Sequence, residues 1–265
     1  MLGNLLTGFW SWLTKTAPEI RDIGAANGSV LIVPVGSVEQ HGSHMPVGTD
    51  TILVSEVAAL GAERVDDLPV LVAPPIWSGY SPHHLHFGGT LSLSFETALA
   101  TLEDVVNTGL ENGFDAVLLL NGHGGNTSLI GAAVSELGID NTDVEVTGLT
   151  YFALAVSFVD EIRDSEPGGM AHGGEFETSL MLHLHEDLVG DDREAEPWNE
   201  PHEHGTNDLV DPGPLSVYRS FEEYSASGAI GEPDLASAEK GAEIFDRLGD
   251  ELESVLRELS EQNRS

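Results

Sequence analysis

Apolar residues along the chain fall into two alternating kinds of run. Short runs occupy residues 30–35, 69–73, 116–120 and 144–150, while longer amphipathic ones occupy 51–65, 95–113, 126–137, 175–185 and 235–259. The short runs have the length of strands, and the long ones have the three-and-four spacing of a helix face. Their alternation is the βαβ rhythm of an α/β fold with a mostly parallel sheet. Residues 191–213 carry Pro, Gly, Asn and acids without periodicity and are expected to form a long surface loop. With no internal repeat and no linker, the chain is expected to be one domain spanning residues 1–265.

The apolar N-terminal stretch, residues 1–13 with Trp10 and Trp12, lacks a preceding basic segment and a small-residue cleavage site. It is too short to cross a bilayer and is expected to serve packing or subunit contact. No later stretch reaches spanning length, so a soluble, cytoplasmic protein is expected. Charge sharpens this picture. Asp and Glu number 45 against 10 Lys and Arg, a formal net charge of −35. Such a surface repels nucleic acid and anionic membranes, which excludes both as partners. The acids are dispersed: Asp191, Asp192, Glu194 and Glu196 form one small cluster, and others dot the last helix. That pattern is expected of a protein working in a salt-rich cytoplasm, where screening suppresses self-repulsion. The absence of cysteine excludes disulfides, thiolate metal sites and a cysteine nucleophile.

Candidate chemistry collects just beyond the predicted strands, where open parallel sheets bind ligands. Residues 30–35 run into Gly36-Ser37-Val38-Glu39-Gln40-His41-Gly42, and Asp50 follows nine residues after His41. Residues 116–120 run into Asn121-Gly122-His123-Gly124-Gly125-Asn126. Glu39, His41, Asp50 and His123 offer two carboxylates and two imidazoles, a donor set for zinc, manganese or iron. Four donors are few for two ions unless one carboxylate bridges. A third cluster, Ala171-His172-Gly173-Gly174-Glu175-Phe176-Glu177, opens a predicted helix. His172 lies outside the ligand pairs and, with an ordinary pKa near working pH, is the candidate for moving protons. Each residue also has a plainer role. Glu39 and His41 could be surface residues at a strand end, His123 a helix cap, and Glu175 and Glu177 acids favoured by a helix dipole. His83, His84 and His86 lie in a Gly/Pro-rich segment, and His84 is the one expected to line the cleft. His202 and His204 are expected to be solvated. Ser37 and Ser179 lack the paired base of a nucleophile.

These residues carry a resemblance. Pro34 through Gly42, continued by Gly48-Thr49-Asp50, resembles the signature of the creatininase (creatinine amidohydrolase) family. Asn121 through Asn126 resembles its second motif, and His172 through Ser179 its third. Residues 80–90 and 228–233 are similar to further family segments, so the resemblance spans about residues 30–259. It implies a three-layer α/β/α sandwich, two divalent metal ions, and hydrolysis of a C–N amide bond in a small, possibly cyclic substrate by a two-metal-activated water. Carried over by position, Glu39 and His123 bind one ion, His41 the other, and Asp50 bridges. His172 matches the catalytic histidine and Glu177 the acid near the metals. His84, Gly124 and Glu175 are the expected substrate contacts, and a homo-oligomer, with a hexamer as in creatininase itself, is the expected assembly. The chain departs from creatininase proper at Gly124 and Gly125, where that enzyme has a tyrosine and a ligating glutamate. Glu177, Glu175 or water is left to complete the coordination. Gly168 falls near a position where creatininase has a substrate-ring tryptophan, and Trp10, Trp12, Trp77 and Trp198 lie elsewhere. The Gly-Gly form is more similar to relatives that deformylate a pyrimidine ribotide or trim a peptide during redox-cofactor assembly. From another class, a non-catalytic metal-binding assembly protein is the alternative.

Overall fold

Four strands, β1 (Val30–Val35), β2 (Val70–Val72), β3 (Ala116–Asn121) and β4 (Glu145–Thr150), form a single sheet in the order β2-β1-β3-β4. Every pairing is parallel, and Val30 to Val35 of β1 lie in register with Ala116 to Asn121 of β3. The computed structural model describes residues 8–199, 202–205, 208–210 and 213–264. Strands β1, β2 and β3 are buried throughout, which explains why they read as continuous apolar runs. β4 is half-buried and closes one edge of the sheet.

Successive strand residues enter opposite cores, as the two-residue period of a strand requires. Val30, Ile32, Leu118 and Leu120 join one apolar cluster, and Leu31, Val33, Val117 and Leu119 join the other. The first cluster is completed by helices α2 (Thr49–Arg64), α5 (Glu175–His185) and α6 (Ala238–Gln262). The second is completed by α1 (Ala17–Gly24), α3 (Phe95–Leu110) and α4 (Thr127–Asp140). The result is the three-layer α/β/α sandwich. Along α6, Ile244, Leu248, Leu252 and Leu256 recur every fourth residue on one buried face.

The expected elements recur with shifted ends. Helix α2 starts at Thr49 behind Gly48, ahead of the expected residue 51, so that Asp50 lies in its first turn. Helix α6 starts at Ala238, where the Ser237 side chain accepts a hydrogen bond from the Lys240 backbone. The preceding Pro233–Leu235 forms a separate 3₁₀ turn. Helix α1 was not expected. It is two turns long, too short to show periodicity, and is held by a Thr16/Glu19 capping box. Short 3₁₀ segments at Pro82–Phe87 and Tyr151–Ser157 were likewise unforeseen. The expected loop at 191–213 contains no helix or strand among its described residues. Near the N-terminus, Trp10 is buried and donates to Glu63 (3.3 Å), while Trp12 stacks on Phe114. The first seven residues of the expected packing segment lie outside the described residues. Among the described residues, no helix is long and apolar enough to cross a membrane.

Candidate metal centre

Because β1 and β3 are parallel neighbours in register, their carboxyl ends deliver the first two polar motifs to the same edge of the sheet. Close backbone approach requires glycine at Gly36, where an added Cβ would stand 2.4 Å from Thr51 Oγ1. That hydroxyl donates to the Ser37 carbonyl (2.9 Å) and ties the turn to α2. The asparagines of the second motif stitch its turn in place. Asn121 Nδ2 donates to the His123 carbonyl (2.7 Å), and Asn126 Nδ2 donates to the Gly36 carbonyl (3.1 Å). His123 makes no side-chain capping bond, so the plainer helix-cap role is not the one it takes.

Glu39, His41, Asp50, His123, His172 and Glu177 converge in one buried cluster. Asp50 reaches two imidazoles with two different oxygens: Oδ1 lies 3.2 Å from His41 Nε2, and Oδ2 lies 3.3 Å from His123 Nδ1. On one flank, Glu39 Oε1 lies 3.0 Å from His123 Nδ1. On the other, Glu177 Oε1 lies 3.7 Å from His41 Nε2, while its Oε2 accepts the Gly173 N–H (2.7 Å). His41 donates its Nδ1–H to the Glu39 carbonyl (3.1 Å), which orients Nε2 toward the acids.

His172, expected outside the ligand pairs, lies in the same cluster. Its Nδ1 lies 3.7 Å from Glu39 Oε1, and its ring packs 4.2 Å from that of His41. Nε2–H donates to the Gln40 carbonyl (2.6 Å), so the neutral ring presents a lone pair at Nδ1. Gln40 also fixes His84. Its Oε1 accepts the Gly42 N–H (2.9 Å), and its Nε2 donates to the Gly228 carbonyl (3.0 Å) and to His84 Nδ1 (2.8 Å). His84 therefore turns a protonated Nε2 toward Glu39 Oε1, 3.2 Å away.

Burial opposes charge on every one of these groups, and their mutual attraction decides the outcome. Burial depresses the His123 imidazole, but Glu39 and Asp50 overcome it and push it up to about 10. His41 is likewise raised well above its ordinary value, mainly by Asp50 against burial. Burial and Asp50 push the Glu39 carboxyl up, yet His123 and His84 outweigh them and hold it at about 2. Asp50 is lowered too, His41 and His123 prevailing over burial. Burial carries His172 well below its ordinary value, with His41 adding to the effect. Protons on two imidazoles thus supply the positive charge that the Glu39 and Asp50 carboxylates demand, and divalent cations would displace those protons.

The residues fit such cations. His41 Nε2 and Asp50 Oδ2 are buried without a hydrogen-bond partner, and both point into the cluster. Ligand-type atoms of Glu39, His41 and Asp50 lie within 4.8 Å of one another, as do those of Glu39, His83 and His123, and those of His41, His172 and Glu177. The mixture of imidazole nitrogen and carboxylate oxygen suits zinc, manganese or iron.

One expected contact is corrected. Glu175 is buried but turned away: its carboxylate accepts the backbone N–H groups of Asp164 and Ser165 (both 3.0 Å) and pairs with Lys240 of α6. With its acceptors so engaged, it faces away from the cluster and is not among the described residues that line the cavity beside it. Gly124 and His84 do line a cavity of about 410 Å³ above the cluster. His83, from the same Gly/Pro-rich segment, lines it as well. An added Cβ at Gly125 would stand 2.3 Å from His123 Nε2 and 2.7 Å from His83 Cε1, so glycine there makes room for two imidazoles. Burial, aided by His123, lowers His83 to about 4 and keeps its ring neutral. The opposite wall, with Trp198, Arg219, Phe221 and Tyr224, was not foreseen. Trp198 stacks on Tyr224 at 5.1 Å, so one tryptophan does reach the cavity, from the acidic loop.

Fold and site together define a parallel-sheet α/β protein with a buried carboxylate–imidazole centre at its strand ends. Comparison with known proteins agrees. The Creatininase (creatinine amidohydrolase) family model matches residues 14–256. Creatinine amidohydrolase of Pseudomonas putida is 32% identical over 251 residues, covering 88% of this chain and 91% of that protein. The mycofactocin precursor peptide peptidase of Mycobacterium ulcerans (strain Agy99) is 30% identical over 262 residues, covering 97% and 91%. A solved creatininase mutant of the Zn–Zn type superposes with a TM-score of 0.79 at 30% identity, covering 93% of this chain and 96% of that one. The chain belongs to the creatininase family, whose members are metal-dependent amidohydrolases.

Proposed function

We propose that this chain hydrolyses a C–N amide bond of a small substrate at a centre of two divalent cations. Glu39 and His123 would hold one ion, His41 and Glu177 the other, and Asp50 would be shared between them. His83 would complete the first set, and Glu177 would stand on the second in place of the glutamate that Gly125 replaces. The ions, when bound, polarise the amide carbonyl and acidify a water molecule. His172 Nδ1, held as a free lone pair by the bond from Nε2 to Gln40, accepts the proton of the attacking water. It returns that proton to the leaving nitrogen as the C–N bond breaks. His84, its Nε2 3.2 Å from Glu39 Oε1, favours the Glu39 carboxylate electrostatically, and Phe221, in ring contact with both His84 and His172, shields them from bulk water.

One observation carries this reading: the two oxygens of Asp50 address two different histidines, at 3.2 and 3.3 Å. Its test is Asp50→Ala, with metal content and amidase turnover measured in molar potassium chloride. Loss of bound metal together with turnover is expected; two retained ions and full activity contradict it. The open ground at Gly124, where an added Cβ meets nothing within 4 Å, favours formamides or short peptides over creatinine. Release of formate from a formylaminopyrimidine, against release of amino acids from a peptide, separates those two. A single ion per chain with no hydrolysis of any amide favours the non-catalytic alternative.

A further inference from the structure

The cavity has a chemically distinct far wall. Among its described lining residues, Arg219 is the one lysine or arginine, in a chain where acids outnumber these cations 45 to 10. The chain itself gives Arg219 little to do. Among the described residues its one ion-pair contact is Nη1 to Glu223 Oε2 at 3.7 Å, with Glu223 mostly exposed. Arg163 shows what a structural arginine looks like in this protein. It bonds buried Asp208 at 2.7 Å and donates to the carbonyls of Ser165 (3.0 Å) and Glu166 (2.9 Å).

Arg219 is instead presented. Its guanidinium carbon lies 5.8 Å from the centre of the Tyr224 ring, which stacks on Trp198 at an interplanar angle of 13°. Among the described residues, Arg219 Nε and Trp198 Nε1, both against Tyr224, are buried donors without an acceptor. In a chain this rich in carboxylates, two unmet donors on one wall call for an acceptor from outside. Phe221 links that wall to the centre, its ring lying 5.0 Å from His172 and 6.2 Å from Tyr224.

We propose that Arg219, with Trp198 and Tyr224, forms an anion subsite that selects amide substrates bearing a carboxylate or phosphate about one ring's width from the scissile bond. The inference rests on the hydrolase reading for the word substrate, but the subsite stands on its own residues. It makes neutral lactams poor ligands, because they leave Arg219 unpaired.

The test uses the full, metal-loaded chain, Arg219→Gln and Arg219→Lys, at one fixed potassium chloride concentration. Turnover of 4-formamidobenzoate and 4-formamidophenyl phosphate is compared with that of neutral formanilide. Calorimetry compares binding of 4-acetamidobenzoate with that of acetanilide, which needs no hydrolysis. We expect wild type to prefer the anion by about tenfold or more in kcat/KM and in affinity, as a charge-assisted bond provides. Arg219→Gln removes most of that ratio, and Arg219→Lys keeps part of it. The carboxylate and phosphate arms show which anion fits better. No charge preference in wild type, or a preference that survives Arg219→Gln, overturns the subsite. If Arg219→Gln does not fold, Glu223→Gln takes its place. Freeing Arg219 should raise the ratio about two- to fivefold, and a fall in the ratio counts against it. Arg219-dependent binding without turnover of any amide would sink the hydrolase reading and leave the subsite. Turnover blind to charge would do the reverse.

Discussion

The two walls of the cavity are built differently. The inner wall hangs from the carboxyl ends of β1 and β3 and from the first turns of α2 and α5, and its functional side chains are buried. The outer wall, from Trp198 to Tyr224, has no α-helix or strand among its described residues and keeps a partly exposed arginine. On the inner wall, backbone groups orient three of the side chains: the Glu39 carbonyl holds His41, the Gln40 carbonyl His172 and the Gly173 amide Glu177. The outer wall is held by ring stacking and leaves donors unmet. On the proposed reading, reaction chemistry would reside in the part of the fold anchored to the sheet, and substrate choice in the part that can vary without disturbing it.

Perturbing the inner wall should have the largest effects. Asp50→Ala removes the shared carboxylate and should lower turnover by at least about 10³-fold through loss of metal, read by metal analysis beside the assay. His172→Gln should cost about 10²–10⁴-fold in kcat while both ions stay bound; equal loss of metal and rate would make His172 a ligand instead. Lys240→Met probes the corrected place of Glu175. It should lower folding stability by about 1–3 kcal/mol, since it removes a partner of a buried carboxylate, and leave metal content intact. A change in metal content would return Glu175 to the centre.

The pH response sharpens the contrast further. In the metal-free chain His123 is raised from 6.5 to about 10, so its contribution to stability is fully present below 6.5 and is lost as pH rises toward 10. His41 acts in the same direction. Metal-stripped protein should therefore melt at progressively lower temperature from pH 7 to pH 10. Metal-loaded protein should hold its melting temperature over that range, because cations have replaced those protons. Parallel curves for the two forms would contradict the exchange of protons for metal. The outer wall should give the smallest effect: Tyr224→Ala should weaken binding of 4-acetamidobenzoate by only a few-fold, about the worth of one stacking contact.

The same division governs what could be read in advance. Strand runs buried on both faces and glycine-flanked motifs at their ends are local features, so β1, β3 and the residues from Glu39 to His123 were legible. The direction of a side chain at a helix start is not local. Glu175 was misplaced because Lys240, 65 residues away, pairs with it, and no spacing near Glu175 announces that. Helix α1 went unseen because Ile20 and Ile23 are too few to make a period. Arg219, Phe221 and Tyr224 sit in aperiodic chain whose path is set by tertiary contact, with only a lone arginine among acids as a signal. Gln40 lay inside a recognised motif. Its role in setting the tautomer of His84 required seeing Gly42 and Gly228 beside it.

Anomalous diffraction from crystals of the chain grown with manganese tests the central claim most directly. Two peaks are predicted, one on each side of the Asp50 carboxylate, the first beside Glu39 and His123 and the second beside His41 and Glu177. A single peak, or two that do not share Asp50, would contradict it.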